Sequence, residues 1–387
     1  MFIWGIKMKI KNKNKIISNL KLKRSARDAL NIISFGINSV NIKKRVIENL
    51  PSVEKFENIY VIGFGKSAAE MGEAVEQRLG KKITAGIIIG VRKSKTKIIK
   101  SFIGSHPYVS NKNIVASKKI LLLVKKATNK DLVICLISGG GSSLFEVPTI
   151  SLAKLIALNK KLIRSNKSID QINKIRKKYS LVKGGRLAKE ILPATCYSLI
   201  CSDVASGSVS TIASGPTVLK SKKIHNKIII DNNIALNAML KKAKLLGYNT
   251  KVIPTALVGN QKIALEKIIS TKGKKPLAII AGGETTLNVK GKGIGGRNQE
   301  LVLHAIDKLP KNSVFVSIAS DGIDGNSNAA GAIVDSYSLQ KSIEDKLNHK
   351  RFLHNNDSNT FFKRMGVEIV TKKTGINIMD LQLLIIN

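Results

Sequence analysis

The sequence has few aromatic side chains and few acids. Phe, Trp and Tyr make up 4% of the 387 residues, and 25 Asp and Glu stand against 66 Lys and Arg, a formal net charge of +41. Such a charge favours polyanions through counterion release, but nucleic-acid recognition usually adds aromatic rings on which bases stack. The lysines are spread over almost every segment, without a basic stripe beside such rings. We therefore expect no specific nucleic-acid partner, only weak binding at low salt.

Cysteines and long apolar runs are also scarce. The three cysteines, Cys135, Cys196 and Cys201, lack CxxC spacing and lie in or beside apolar runs, which is typical of buried thiols in a reducing compartment. No uncharged apolar run reaches the roughly 18 residues of a membrane span. The N-terminus lacks the apolar core of an export signal. These absences predict a soluble, cytoplasmic protein with no membrane partner.

Short apolar runs alternate with amphipathic stretches, and the chain is long enough for two or three domains. The runs lie at 59–65, 83–90, 132–141 and 197–204, and again at 251–258, 277–283, 314–320 and 381–387. Strands that are apolar on both faces and separated by helices are typical of parallel sheets. We predict an α/β fold with two domains, each with a largely parallel sheet flanked by helices.

The predicted boundaries follow from the spacing of these runs. We predict a poorly structured extension over residues 1–14, an N-terminal domain over 15–240 and a C-terminal domain over 241–387. The segment 285–296, TTLNVKGKGIGG, alternates and contains four glycines, which predicts an antiparallel hairpin in the second domain.

Two glycine turns in the N-terminal half are candidate anion sites. In VIGFGKSAAEMG, Gly63 and Gly65 precede Lys66 at the start of a helix, where backbone N–H groups and the helix dipole favour an anion. The second turn follows an apolar strand, at the end where open α/β sheets bind ligands, and suits a loop around phosphates. It consists of Ser138, Gly139, Gly140, Gly141, Ser142 and Ser143. A tight structural turn and a plain flexible loop are the alternatives.

Four more candidates lie in the same half. Asp203 ends an apolar strand, where a carboxylate could contact a metal or a hydroxyl, or simply cap the next turn. Arg176 and Lys183 could bind an acidic substrate or cover a helix surface. His106 lies in the turn Gly-Ser-His-Pro, where it could face a ligand or position the loop.

The C-terminal half offers an arginine behind glycines. Arg297, Asn298 and Glu300 open a helix after Gly295-Gly296, and an arginine there can bind a phosphate bidentately. Glu284 follows the strand at 277–283.

Two acids, Asp321 and Asp324, lie in a glycine-rich loop directly after another strand. Spaced carboxylates in such a loop suit Mg²⁺ or a general base.

Together these segments resemble the glycerate 2-kinase family with a MOFRL-type C-terminal domain, some members of which are labelled hydroxypyruvate reductases. The resemblance covers nearly the whole chain and rests on eight segments in order. They are GFGKSAAEM, GSHP, LISGGGSSL, INKIRKKYSLVKGGRLA, SDV…IASGPTV, GGETTLNVKGKGIGGRNQEL, SDGIDGNSNAAGA and NDSNTFF…VTKKTGINIMDLQLLI.

The resemblance implies a Rossmann-like glycerate kinase domain over 15–240 and a MOFRL-type domain over 241–387, with the active site in a cleft between them. It also implies ATP-dependent phosphorylation of D-glycerate at its 2-hydroxyl to give 2-phosphoglycerate, with Mg²⁺. By position, Lys66 and Arg297 match the family's motif Lys and Arg, and Asp321 matches the acid of its DGIDG loop.

Phosphoryl transfer depends on positioning and charge neutralisation, which suggests roles for these residues. Lys66 and Arg297 would bind phosphate oxygens or the substrate carboxylate, and the backbone of 138–143 would cradle phosphates. Asp203 or Asp321 would orient the hydroxyl or hold Mg²⁺, with Asp324 as a further metal ligand. The substrate-binding candidates are His106, Arg176, Lys183, Glu284, Asn298 and Glu300.

The chain also departs from the family pattern. Ala205 and Ser206 stand where the family commonly has Gly-Asp, and Asn328 stands where an Asp is usual. Fewer carboxylates predict weaker metal binding.

One rival enzyme stays open. Gly63, Gly65 and Ala68 fit the GxGxxA pattern of dinucleotide sites, and Arg92 after the next strand would suit a 2′-phosphate, which would indicate an NAD(P)H-dependent hydroxypyruvate reductase. That interpretation lacks the acid that binds a ribose hydroxyl, and it leaves the GGRNQE and DGIDG loops without a role. The oligomeric state also stays open, with a homodimer as one candidate.

Overall fold

The structure, a computed structural model, groups its contacts into two compact units. The middle unit comprises Asn41–Asp231, and the terminal unit combines the described residues up to Val40 with Asn232–Asn387. Among the described residues, no helix is both long and apolar enough to cross a bilayer. The three cysteines are buried free thiols, as predicted. The described residues are 8–163, 165, 169–204 and 208–387.

The part of the chain before residue 232 contains the first helices and strands. The helices are α1 (Lys13–Asn19), α2 (Lys23–Asn38), α3 (Ile42–Glu48), α4 (Ala68–Leu79), α5 (Asn111–Val124), α6 (Gly141–Leu144), α7 (Leu152–Ile163), α8 (Ile169–Lys178) and α9 (Arg186–Ile191), with short 3₁₀ turns at Gly80–Lys82 and Ile212–Ser214. The strands are β1 (Ile59–Phe64), β2 (Ala85–Gly90), β3 (Ile99–Ile103), β4 (Leu132–Ser138), β5 (Thr195–Cys201) and β6 (Ile224–Ile230).

The middle unit contains one parallel sheet, with the strand order β3-β2-β1-β4-β5-β6. This confirms the predicted parallel α/β architecture, and the four predicted runs become β1, β2, β4 and β5. The central strands β1 and β4 are buried along their whole length, as expected for a sheet covered on both faces. The sequence does not predict β3 and β6, because these edge strands mix buried residues with exposed ones such as Lys100 and Lys227.

The part of the chain from residue 232 onwards completes the terminal unit. Its helices are α10 (Asn232–Leu245), α11 (Gln261–Ile269), α12 (Arg297–Ala305), α13 (Ser338–Glu344), α14 (His349–His354) and α15 (Ser358–Met365). Its strands are β7 (Asn249–Val252), β8 (Leu257–Asn260), β9 (Leu277–Thr286), β10 (Ser313–Ala319), β11 (Gly331–Asp335), β12 (Glu368–Ile369) and β13 (Asp380–Ile386).

The sheet of the terminal unit is mostly antiparallel, which corrects the prediction of a largely parallel second sheet. Its order is β12-β11-β10-β13-β9-β7, with β8 also on β9. β9 pairs in parallel with β7 and β8, whereas β10, β11, β12 and β13 form antiparallel pairs and β13 is antiparallel to β9. Every residue of β10 and β13 is buried. The apolar runs therefore indicated burial on both faces, which an antiparallel sheet covered by helices also produces.

Two local predictions in this unit are also corrected. The segment 285–296 does not form a hairpin: β9 ends at Thr286, and 287–296 follows without strand structure. The run 251–258 is divided between β7 and β8, with Pro254 in the gap, because proline has no N–H to donate to a strand ladder.

The first two helices, α1 and α2, belong to the terminal unit. The apolar side of α2 is buried, and α2 contacts α10, β10 and β13. Met8 and Ile10, inside the predicted extension 1–14, are buried too, and Lys11 N donates to Val370 O at 2.8 Å. The division by contacts thus differs from the predicted boundaries, because an amphipathic helix pattern shows that one side is buried but not which sheet covers it.

Candidate functional site

The two glycine turns of the middle unit form one structure at the carboxyl ends of β1 and β4. Gly65, at φ +125°, turns the chain against β4, and a Cβ there would overlap Ser138. Lys66 N donates to Gly139 O at 2.8 Å, and Ser67 N donates to Ser138 Oγ at 3.0 Å. The structure thus places the predicted Lys66 turn directly against the predicted 138–143 loop.

Gly63 has a different role from the other glycines of the prediction. It lies inside β1, where a Cβ would stand 3.0 Å from side-chain atoms of both Ile88 and Leu136. Its small size serves the packing of the sheet, so the predicted ligand contact of Gly63 would have to be indirect.

Three predicted side chains converge on the glycines of the 138–143 loop. A Cβ on Gly139 would overlap the carboxylate of Asp203. A Cβ on Gly140, at φ +79°, would lie 2.9 Å from Cδ2 of His106 and 3.2 Å from Cγ of Lys66. The absence of side chains at these glycines therefore lets a cation, a carboxylate and an imidazole approach one loop.

The environment of His106 favours its neutral form. Partial burial and the positive charge of Lys66 both lower the pKa of His106. The loop that carries it is held by Asn113, whose side chain is fully buried. Asn113 Nδ2 donates to Ser105 O at 2.8 Å and to Ser143 O at 2.7 Å. Sequence reasoning missed Asn113, although an asparagine on the apolar side of a helix was a signal that could have found it.

This arrangement fits the phosphates of a nucleotide with a magnesium ion. Lys66 could neutralise phosphate charge, and Asp203 would supply one carboxylate, which is enough because Mg²⁺ on nucleotides is usually held by one or two carboxylates plus phosphates and water. Within the described ranges, no group of three or more His, Cys, Asp or Glu side chains could hold a metal by itself. The predicted departure at Ala205 and Ser206, just after Asp203, lies outside the described residues.

The predicted substrate cations Arg176 and Lys183 lie deeper than expected. Lys183 is 1% exposed and forms an ion pair with Glu146, which is 3% exposed. Burial lowers the pKa of Lys183, and the attraction of Glu146 opposes that effect. Arg176 donates from Nε to Asn159 Oδ1 at 3.0 Å and is largely shielded, which lowers its pKa. No local sequence pattern indicates a role for Glu146.

In the terminal unit, Arg297 is held by two carboxylates. Its Nε and Nη2 donate to Asp380 at 2.6 and 3.0 Å, and its Nη1 lies 2.7 Å from Glu284 Oε1. Burial alone would lower the pKa of Arg297, but its bonds to Asp380 and the charge of Glu284 raise it, so the guanidinium stays charged. The Arg297 side chain is 33% exposed, which leaves part of this bidentate cation accessible to an anion.

Asp380 was missed by sequence reasoning, although a carboxylate directly before the apolar run 381–387 was a detectable signal. Burial raises the pKa of Asp380 to about 6, despite the opposing effect of Arg297. Asp380 therefore holds Arg297 fully only above that pH.

Asp324 caps the helix that Arg297 begins. Its two oxygens accept from the backbone N–H groups of Asn298 at 3.0 Å and Gln299 at 2.8 Å, and from both side-chain amides. A carboxylate at a helix N-terminus satisfies otherwise unpaired donors. The structure thus gives Asp324 and the buried Asn298 a supporting role behind Arg297, and both Asp324 oxygens are already occupied.

Two further predicted residues of this unit, Glu300 and Asp321, differ in their exposure to solvent. Glu300 is buried and accepts from Asn356 Nδ2 at 3.2 and 2.9 Å, and burial raises its pKa. Asp321 is exposed, and its Oδ1 accepts from Ile323 N at 3.0 Å. Of the two predicted loop acids, Asp321 is therefore the one that a ligand can reach.

Two family models match the chain, one over the region that contains Lys66, His106 and Asp203 and the other over the region that contains Arg297 and Asp380. The model described as "Domain of unknown function (DUF4147)" matches residues 28–245, and the MOFRL family model matches residues 277–380. A D-glycerate 2-kinase of Thermotoga maritima is 33% identical, over 91% of this chain and 96% of that protein. A putative hydroxypyruvate reductase of Agrobacterium vitis is 31% identical, over 94% and 95%. The crystal structure of the glycerate kinase of Thermotoga maritima matches 93% of this chain and 99% of its own, with a TM-score of 0.85 and 31% identity.

Proposed function

The chain belongs to the glycerate kinase family, and we propose that it transfers the γ-phosphoryl group of ATP to the 2-hydroxyl of D-glycerate, giving 2-phosphoglycerate. The observation that carries this proposal is the convergence of Lys66, His106 and Asp203 on Gly139 and Gly140. A cation, a carboxylate and a half-buried glycine loop at the carboxyl ends of parallel strands suit the phosphates of a nucleotide.

The site residues of the middle unit each have a role in this proposal. Lys66 neutralises charge on the transferred phosphoryl group, which is the main requirement of phosphoryl transfer. The backbone of 138–143 binds phosphate oxygens, and Asp203 holds the magnesium ion. An Mg²⁺ ion bound there with ATP would supply positive charge against the charge that develops on the phosphate oxygens. His106, kept neutral by its surroundings, can accept a hydrogen bond from the substrate without repelling Lys66.

In the terminal unit, Arg297 binds an anionic group of a substrate through the guanidinium N–H groups that Asp380 and Glu284 do not use. The fixed fork of an arginine matches carboxylate and phosphate geometry. The 2-hydroxyl loses its proton to a carboxylate as that oxygen forms its bond to phosphorus, and Asp203 and the exposed Asp321 are the two candidates for this acceptor. The bond from the γ-phosphorus to its bridging oxygen breaks in the same transfer, and ADP leaves with that oxygen.

Phosphorus NMR of the purified protein with Mg·ATP and D-glycerate tests the proposal. We expect a 2-phosphoglycerate signal, identified against authentic 2- and 3-phosphoglycerate. The 3-phosphate as sole product would contradict the assigned hydroxyl, and neither product would contradict the kinase.

A hydroxypyruvate reductase is the second candidate, since one relative bears that name and Gly63, Gly65 and Ala68 fit a dinucleotide pattern. NADPH oxidation with hydroxypyruvate, run beside the NMR assay, separates the two. NADPH loss without ATP turnover would replace the kinase by the reductase.

A further inference from the structure

A buried ion pair lies beside the glycine loop, and the proposed chemistry does not use it. Lys183 and Glu146 are 1% and 3% exposed and are in direct contact. Glu146 Oε1 is buried and has no hydrogen-bond partner among the described residues. Removing two charges from water often costs more than their attraction returns, so such a pair is a weak source of stability. A role in fixing one arrangement of the neighbouring chain is the best-attested alternative.

Glu146 lies three residues after the end of the 138–143 loop, which we propose binds phosphate. It lies two residues beyond α6, which begins at Gly141. Between them, Phe145 stacks on Phe64 at the end of β1, with ring centroids 4.3 Å apart. Glu146 N also donates to Ser117 Oγ at 3.0 Å. The backbone on which Glu146 sits is therefore a rigid continuation of the 138–143 loop.

Lys183 begins a second segment, residues 183–185, which is connected by hydrogen bonds to the same loop. Directly after it, Gly184 N donates to Ser214 O at 3.0 Å and Gly185 N donates to Gly215 O at 2.8 Å. Ser214 Oγ then lies 2.9 Å from Ser142 Oγ, inside the loop. Lys183 thus connects Glu146, on one side of the loop, to Ser142 through Ser214.

Ser214 needs such support because its backbone is strained. It has φ +63°, and the preceding Ala213 has φ +51°, a region that residues with a Cβ adopt only when their surroundings enforce it. Ser214 is fully buried, and its Oγ also contacts Asn173 Oδ1 at 3.0 Å. The contacts from Gly184 and Gly185 are part of what enforces this conformation.

We propose that Glu146 and Lys183 form a positioning pair for the phosphate loop. Their ion pair fixes 183–185 against the end of the loop, and through Ser214 it sets the orientation of the Ser142 hydroxyl. Neither side chain touches the substrate. The inference rests on the proposed function in one respect, namely that the anion bound at 138–143 is the phosphate of ATP.

The decisive variant is E146L/K183M, which replaces the pair by apolar side chains of similar size. Such replacements often leave a fold as stable as before or more stable. The variant should therefore change the geometry of the loop without lowering the stability of the protein. We expect an unchanged or higher thermal midpoint together with about tenfold weaker ATP binding in titration calorimetry, the lower end of the loss on removing groups that orient ligand-binding residues. The matched control is E57L/K130M, an exposed pair of the same unit, for which we expect wild-type affinity.

A mutant cycle decides the matter if the apolar variant does not fold. E146Q keeps the shape of the side chain, and S214A removes the hydroxyl through which the pair acts. We expect each to weaken ATP binding about tenfold and the double variant to be no weaker than S214A alone. A purely structural role of the pair would lower the active fraction and kcat while leaving the Kd for ATP unchanged.

The outcomes separate this inference from the proposed function. Wild-type ATP affinity in folded E146L/K183M, or independent effects in the E146Q/S214A cycle, would overturn the positioning pair while leaving the kinase intact. Absence of phosphoglycerate formation by the wild-type protein would instead contradict the proposed function.

Discussion

The two glycine-rich loops of the molecule look alike in sequence but are held in different ways. The 138–143 loop of the middle unit follows a parallel strand and contacts the backbone of the adjacent turn, as in Lys66 N to Gly139 O at 2.8 Å, besides its side-chain contacts with Asn113 and Ser214. The 287–296 loop of the terminal unit is fixed by side chains from Asn355–Asp357, about sixty residues later. Asn356 Oδ1 accepts from Lys290 N at 2.8 Å and from Gly291 N at 2.9 Å, and Asp357 Oδ1 accepts from Ile294 N at 2.9 Å.

Because of this difference, we expect substitutions in the two loops to have different effects. The first loop depends on glycines that let neighbouring chemistry approach, so substitutions there should damage activity more than folding. The second loop depends on a few distant amides and carboxylates, so loss of one of them should damage folding as well.

The largest effect is expected for K66A. Removing the cation beside Gly140 should lower kcat/KM for phosphoryl transfer roughly a hundredfold or more, since preorganised charges contribute that much to transition-state stabilisation. Steady-state kinetics with ATP and D-glycerate measure it. The exposed Lys81, in the 3₁₀ turn after α4, gives a matched K81A control that should retain wild-type kinetics. Equal activity of K66A and wild type would remove Lys66 from the mechanism.

N356A tests the side-chain support of the second loop. It would leave the buried Glu300 carboxylate without its amide donor and release two backbone N–H groups, so we expect a loss of ~2–3 kcal/mol in the free energy of unfolding. Urea denaturation measures it. The control N348A removes an exposed helix cap that accepts from Lys350 N and Arg351 N, at a cost of about 1 kcal/mol. Similar losses in the two variants would contradict a special role for Asn356.

G140A tests the crowding of the first loop. An alanine at φ +79° is strained, and its Cβ would also press on His106 and Lys66. We expect kcat/KM to fall roughly tenfold, since small displacements of catalytic groups have such effects. Gly259 has nearly the same φ, +74°, with open space around it, so G259A reports backbone strain alone. If G259A lost as much activity as G140A, crowding at the loop would not be the cause.

The smallest effect concerns pH and Asp380. With a pKa of about 6, Asp380 takes up a proton as the pH falls below 6 and loses its charged contact with Arg297, so activity should fall there. Because folding raises this pKa, the folded state binds that proton more readily than the unfolded state. The free energy of unfolding should therefore gain from Asp380 as the pH falls from 6 towards 4.

The variant D380N tests whether Asp380 causes the expected fall in activity below pH 6. We expect its activity to be a few-fold lower at pH 8, and we expect its pH profile to lack the step near pH 6. A step that persists in D380N would assign it to another group.

The sequence predicted the parts of the molecule that follow from local chain patterns. β1, β2, β4 and β5 were predicted from their apolar runs, and the ends of these strands singled out Lys66, Asp203 and the 138–143 loop as candidates. Arg297 was singled out because glycines followed by an arginine at a helix start are a local signal, and its role in binding stays a prediction.

What the sequence did not predict depends on contacts between distant segments. Glu146, Asp380 and Asn356 owe their roles to partners 37, 83 and 56 positions away, and no local pattern identifies such partners. The strand direction in the terminal unit was missed for the same reason, since β13 pairs between β9 and β10 from the far end of the chain.

The composition of the terminal unit from both ends of the chain has a consequence for its synthesis on the ribosome. α2 is translated early, whereas β13, one of the elements against which it packs, follows some 340 residues later, so at roughly 5–20 residues per second the packing of α2 stays incomplete for tens of seconds. The middle unit is continuous in sequence and can fold meanwhile. A nascent chain stalled before β13 would therefore present a finished middle unit and an N-terminal helix that lacks its contacts with β13, a form on which a chaperone would act.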